Sequence, residues 1–157
     1  MKVAIPLEKD GKIYNGNPWT APNFVIYEIT SKKEVIEYEK IEERSNPWLE
    51  KDESVICDPM MCSDGCSEII KADLNHLADH YIILEVVNAC SYLLANTFCS
   101  NVEKVLKNGG IEIYQFPVFI KNPEIALNNF IISVFTPEDS SNKVNFKIKK
   151  IKKLEKI

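Results

Sequence analysis

The run from Tyr92 to Tyr114 constrains the fold more than any other part of the chain. Tyr92-Leu93-Leu94-Ala95 is a compact apolar stretch that stops at Asn96-Thr97, which suits a buried strand. A helix follows. Ser100 and Glu103 stand at the spacing of a capping box, in which each side chain reaches a backbone N–H otherwise left without a partner, and Gly109-Gly110 supplies a left-handed stop. Val102, Val105 and Leu106 fall on the face turned to a sheet, and Ile111-Glu112-Ile113-Tyr114 reads as the next strand. Two strands joined through a helix pair in parallel by a right-handed crossover, so this half of the chain belongs to an α/β sheet.

The first half has a different pattern. Val3 and Ile5 alternate within a short strand, Lys2 to Pro6, and a loop with Gly11, Asn15, Gly16, Asn17 and Pro18 follows as the natural rim of a site. Phe24 to Ile29 and Glu34 to Ile41 are β-rich segments around the polar turn Thr30 to Lys33, and they predict a hairpin. Glu42 to Ala72 has little periodicity, carries Pro47 and Pro59, and reads as a long ordered loop or a mobile flap. Asp73 can cap a helix from Leu74 in which Leu77, Ala78, Tyr81, Ile82, Leu84 and Val86 cover a broad face. Tyr81 to Val87 would also serve as a buried strand; the better strand at Tyr92 favours the helix. Asn122-Pro123-Glu124 opens a last helix through Ala126, Leu127, Phe130 and Ile131. The order strand, hairpin, helix, strand, helix, strand, helix predicts a mixed sheet.

With 157 residues and 45% hydrophobic content, the chain fits one domain with one core. Its 19 basic and 23 acidic residues repel nucleic acid and anionic membranes at long range. No apolar run approaches the roughly 20 residues that cross a bilayer, and the opening Met1 to Pro6 is too short for a signal peptide, so the expectation is a cytoplasmic protein. Five cysteines in a reducing compartment read as ligands, redox groups or unpaired thiols rather than a disulfide framework. From Pro137 onward the tail interleaves lysines with Val144, Phe146, Ile148, Ile151 and Leu154. It is either a basic arm for an acidic partner or phosphate backbone, or a solvated strand or short helix packed on the domain's edge.

Met1 to Pro6, Ala21-Pro22-Asn23-Phe24-Val25-Ile26-Tyr27, and the block from Ser91 to Asn101 leading through Gly109 to Ile113-Tyr114 together resemble the dinitrogenase iron–molybdenum cofactor biosynthesis family in spacing and order. The resemblance covers the chain from Met1 to about Phe130. It implies a three-layer α/β/α domain with a ribonuclease H-like, five-stranded mixed sheet over residues 1–132, with 133–157 as a lysine-rich extension. It also implies binding of iron–sulfur, iron–molybdenum or related clusters by a carrier or accessory factor in nitrogenase cofactor assembly, that is, nitrogen fixation. A nuclease on such a fold needs convergent carboxylates for magnesium, and the first strand carries no acid. Two positions depart from the family pattern. Asn17-Pro18-Trp19-Thr20 stands where members often have a histidine, and Asn96-Thr97-Phe98-Cys99 replaces a glycine-rich turn.

Cys57, Cys62 and Cys66 lie at C-x4-C-x3-C spacing in one Gly- and Pro-containing stretch, which is able to wrap a cluster with soft thiolates; unligated surface or packed thiols are the other reading. A fourth ligand would come from Cys99, Cys90, a histidine, an exogenous group or a partner. Cys99 sits before a helix start, where dipole and N–H groups favour a thiolate and an anion, or it is a small buried residue supporting the turn. Asn17, Thr97, Cys99 and Ser100 are the candidate cofactor contacts. His76 and His80, four residues apart on a helical segment, could form a metal pair with Asp73 or Asp79, although surface histidines often share this spacing by chance. Cys90 reads as a buried small hydrophobe, and Trp19 and Trp48 as packing anchors or cleft borders. The expectation is a non-catalytic metal–sulfur cluster carrier whose partner is a cluster-assembly or acceptor protein. Its rivals are a thiol-based redox or regulatory protein and an interaction module acting through the tail.

Overall fold

The computed structural model describes residues 1–46, 81–136 and 146–152. These form an α/β unit with a six-stranded mixed sheet and three helices. Strands β1 (Lys2–Leu7), β2 (Asn23–Lys32) and β3 (Val35–Ser45) run antiparallel to their sequence neighbours. The four-residue helix α1 (Ile83–Val86) precedes β4 (Tyr92–Ala95), which lies parallel to β1. Helix α2 (Ser100–Asn108), strand β5 (Glu112–Gln115) and helix α3 (Pro123–Phe135) follow, with β5 parallel to β4. Strand β6 (Lys147–Ile151) closes the order β5-β4-β1-β2-β3-β6. No helix among the described residues is long and apolar enough to cross a membrane.

Strand alternation divides the core in two. Ala4, Phe24, Ile26 and Leu93 face a cluster built with Val86, Val102, Val105 and Leu106, so α1 and α2 cover this face of the sheet. Val3, Ile5, Val25, Tyr27 and Leu94 face the opposite cluster, where α3 contributes Ala126, Leu127, Phe130 and Ile131. Val102, Val105 and Leu106 of α2 and Ala126, Leu127, Phe130 and Ile131 of α3 face the sheet as expected, whereas Tyr81 is exposed, Ile83 is buried in its stead, and Leu74, Leu77 and Ala78 lie outside the described residues. Residues 81–86 form a turn and helix rather than a strand, because Ile83 and Val86 must reach one face together at helical spacing.

Three expectations need correction. The sheet has six strands, not five, because Lys147–Ile151 pairs with β3 in parallel. Here the tail is an added edge strand: Lys149 stands opposite Glu37, Lys150 pairs with Glu124, and Ile148 packs on the α3 side. Strand β3 also runs through Glu42–Ser45, which sequence reading assigned to the loop. Polar residues there are exposed on a strand held by β2, and Arg44 Nη1 donates to the Val86 and Asn88 carbonyls at 2.7 and 2.9 Å, capping the end of α1.

The third correction concerns α2. Cys99, not Ser100, is its N-cap, and no side chain caps the helix, so the Ser100–Glu103 box does not form. At the other end Gly109 and Gly110 separate their tasks. Gly110 takes the left-handed conformation (φ 76°), with its N–H on the Lys107 carbonyl and that of Ile111 on Leu106. Gly109 has an ordinary φ but no room: a Cβ there would lie 2.6 Å from Leu84 of α1.

Candidate functional site

The C-terminal ends of parallel strands, next to the point where the chain switches sides of a sheet, are where α/β proteins place ligands. In this chain β1 and β4 meet there, and β1 turns back toward β2 through the loop containing Asn15 to Thr20. Asn96, directly after β4, donates from Nδ2 to Asn15 Oδ1 at 2.9 Å, which ties this loop to the turn that leads into α2. Gln115 Nε2 donates to the Asn96 carbonyl at 3.1 Å, bringing the end of β5 to the same turn. Within the loop, Thr20 Oγ1 donates to the Asn17 carbonyl at 2.7 Å, and Asn46 Nδ2 donates to the carbonyls of Trp19 and Ala21.

The side chains held by this frame are buried and amide-rich. Asn17 is 0% exposed and neither atom of its amide has a hydrogen-bond partner; Asn101, 2% exposed in the first turn of α2, leaves Nδ2 without one, and Asn96 leaves Oδ1. A buried amide atom with no partner costs about 1–3 kcal/mol, so three such residues around one helix start call for a ligand or ordered solvent. The first N–H of the helix region with a helix-type acceptor is that of Glu103, on the Cys99 carbonyl at 3.2 Å. The preceding turn therefore presents donors together with the positive end of the helix dipole.

The two segments that frame the loop and the helix start carry no charge. Residues 13–27 and 86–102 contain no Asp, Glu, Lys or Arg in a chain that is 27% charged. No carboxylate from either segment can repel an anion, and no lysine can neutralise one. Glu103, exposed in the first turn of α2, is a charged side chain next to these segments; the segments themselves offer neutral donors and a helix start.

Asn17 is buried in the loop, Cys99 is buried in the core cluster with Trp19 and Val102, Thr97 is half-buried two residues before it, and Ser100 is exposed on the first turn. Cys57, Cys62, Cys66, His76 and His80, with Trp48, lie outside the described residues. Among the described residues no group of three or more Cys, His, Asp or Glu side chains is placed to hold a metal ion. Cys90 belongs to the core beneath α2, where burial pushes its thiol pKa up and disfavours the thiolate. Trp19 is likewise packed in that core. Asn96 and Asn101 were missed by the sequence reading. The two charge-free stretches were the signal that could have found them.

No protein-family profile matches the chain, and no curated protein sequence matches it.

Proposed function

We propose that this chain is a non-catalytic carrier or accessory protein for an anionic metal–sulfur cluster, held where the Asn15–Thr20 loop meets the start of α2. The observation that carries the reading is Asn17, fully buried with both amide atoms partnerless, in the loop bonded to the turn before an uncapped helix. Asn17 and Asn101 would donate hydrogen bonds to cluster sulfides together with the first turn of α2. Cys99 would supply a thiolate, joined by Cys57, Cys62 and Cys66, with His76 and His80 as further candidate ligands. Such a cluster, when bound, supplies the electron-rich inorganic cargo; the residues of the chain orient it and exclude water.

The finer fold reading, a three-layer α/β/α domain of ribonuclease H-like type, belongs to this proposal. It is supported by the order β5-β4-β1-β2-β3, an antiparallel meander continued by two parallel crossovers, and by helices on both faces.

Anaerobic reconstitution with iron and sulfide tests the function. The expected result is a visible chromophore with stoichiometric iron and sulfide, lost when Cys57, Cys62, Cys66 and Cys99 are all serine. A chain that takes up no metal under conditions that load a known carrier is not a cluster carrier.

A further inference from the structure

The two edges of the sheet are treated differently. Strand β6 carries Lys147, Lys149 and Lys150, with Lys152 directly after it, and lysines along an edge keep other strands away. Strand β5 carries a single charge, Glu112, and no lysine, proline or bulge. Its N–H groups at Glu112 and Phe116 donate to the carbonyls of Ser91 and Ala95 of the β4 segment. That alternation directs the N–H and C=O of Ile113 and Gln115 outward, where no strand among the described residues pairs with them.

The surface next to this edge is apolar. Apart from Met1 and Tyr81, every exposed large apolar side chain among the described residues lies between Val118 and Val134. Phe119 is 78% and Ile132 53% exposed, with Val118 and Ile125 similar to the latter. Residues 113–120 and 125–135 contain no charged side chain. Helix α3 is fixed over β5 by Tyr114, whose ring packs edge-on against Phe130 and whose hydroxyl bonds Asn129 Oδ1 and Ser133 Oγ, each at 2.8 Å. Ile132 lies in the C-terminal half of α3, beside the Ser133 that Tyr114 bonds, and so stands toward the β5 edge, whereas Ile125 follows Glu124, whose ion pair with Lys150 sets the start of α3 toward β6.

We propose that the β5 edge is an interface for a second copy of this chain, paired antiparallel about a two-fold axis at Tyr114. Outward-facing Ile113 then meets Gln115 of the second copy and exchanges both backbone hydrogen bonds with it, and the symmetry repeats the pair. Glu112 falls opposite Phe116, so no like charges meet. The same operation on β6 would crowd lysines together. A two-fold axis normal to the sheet keeps each face continuous, so both α3 helices lie on one side of the joined sheet with their uncharged C-terminal halves toward each other. Depletion of charge around a small apolar centre is the composition expected of such a contact.

Sedimentation of the full chain over a range of concentrations, combined with amide exchange at Ile113 and Gln115, tests this independently of any cluster. The expected result is a monomer–dimer equilibrium in which the Phe119→Lys, Ile132→Lys double variant weakens association by more than about tenfold. Both side chains are exposed, so the variant should keep the wild-type circular dichroism and melting curve. The amides of Ile113 and Gln115 should exchange slowly in the dimer and rapidly in the monomeric variant. A monomer at every concentration overturns the proposal, as does a dimer in which those two amides exchange rapidly.

Discussion

Helices α2 and α3 each begin after a strand of the same sheet, yet their first turns are built on opposite plans. At α3, Asn122 caps the helix by accepting from the N–H of Glu124 at 2.8 Å and that of Ile125 at 3.3 Å. Pro123 occupies the position that needs no N–H, and Glu124 complements the dipole and pairs with Lys150. At α2 the N-cap is a cysteine whose side chain does not cap the helix, and Asn101, buried in the first turn, has an amide nitrogen with no partner. One start satisfies its donors locally. The other leaves one of its buried donors unmatched, and that difference, more than the presence of a cysteine, is what the site proposed at α2 rests on.

The contrast predicts where stability resides. Phe130 anchors α3 against Tyr92 and Tyr114 and is completely buried, so Phe130→Ala should cost about 3–5 kcal/mol in chemical unfolding. Asn17→Leu should instead leave the metal-free protein about 1 kcal/mol more stable, because it replaces a partnerless buried amide by an apolar group of similar size, and Asn101→Leu, which removes one partnerless nitrogen, should be close to neutral. The same two variants should load cluster at least about tenfold less well, each losing a charge-assisted hydrogen bond. If they destabilise the metal-free protein as strongly as Phe130→Ala does, the amides are structural and the contrast between the two helix starts collapses.

At α3 the outcome should reverse. Asn122→Ala should lower stability by about 1 kcal/mol, the usual worth of an N-cap, with no change in cluster loading. Equal loss of loading in this variant would show that a weakened fold, not a missing donor, explains the α2-side results.

The α3 start was legible in advance because its whole signal is local: Asn, Pro and Glu stand in consecutive positions, and each contributes through its own neighbours. Strand β4 and the sheet-facing residues of α2 were legible for the same reason. The Ser100–Glu103 spacing misled because the helix begins one residue earlier in the backbone than its best capping letters suggest, with Cys99 in extended conformation at the cap. For strand β6 an edge strand was one of the readings composition left open: KIKKI is a poor strand alone and becomes one beside β3, where Glu37 faces Lys149 across the pair. Asn17 stood out only through the family resemblance, and Asn96 and Asn101 not at all, since an asparagine in a loop or a first turn is ordinary until burial removes its water.

A smaller effect sharpens the view of the α3 start as the satisfied one. Tyr27 and Tyr38 meet edge-to-face at 6.0 Å beneath the start of α3, and burial first, then the charge of Glu124, raises both phenol pKa values. That of Tyr27 is pushed up from 10.0 to about 12. The folded state therefore holds this proton more tightly than the unfolded chain does. The associated stability is complete below pH 10 and is lost as pH rises from there toward about 12. Lys150, whose pKa is raised by its hydrogen bond to Glu124, changes in the same direction. The melting temperature should consequently fall across this alkaline window, and phenolate absorbance should show several late-titrating tyrosines, of which the step near pH 12 disappears in Tyr27→Phe. Glu124→Gln should move that late step to lower pH by less than Tyr27's full displacement, because the carboxylate is the second cause and burial the first. A Tyr27 that titrates together with the exposed tyrosines would mean that water reaches the α3 side of the core, and α3 could no longer serve as the closed reference against which α2 looks open.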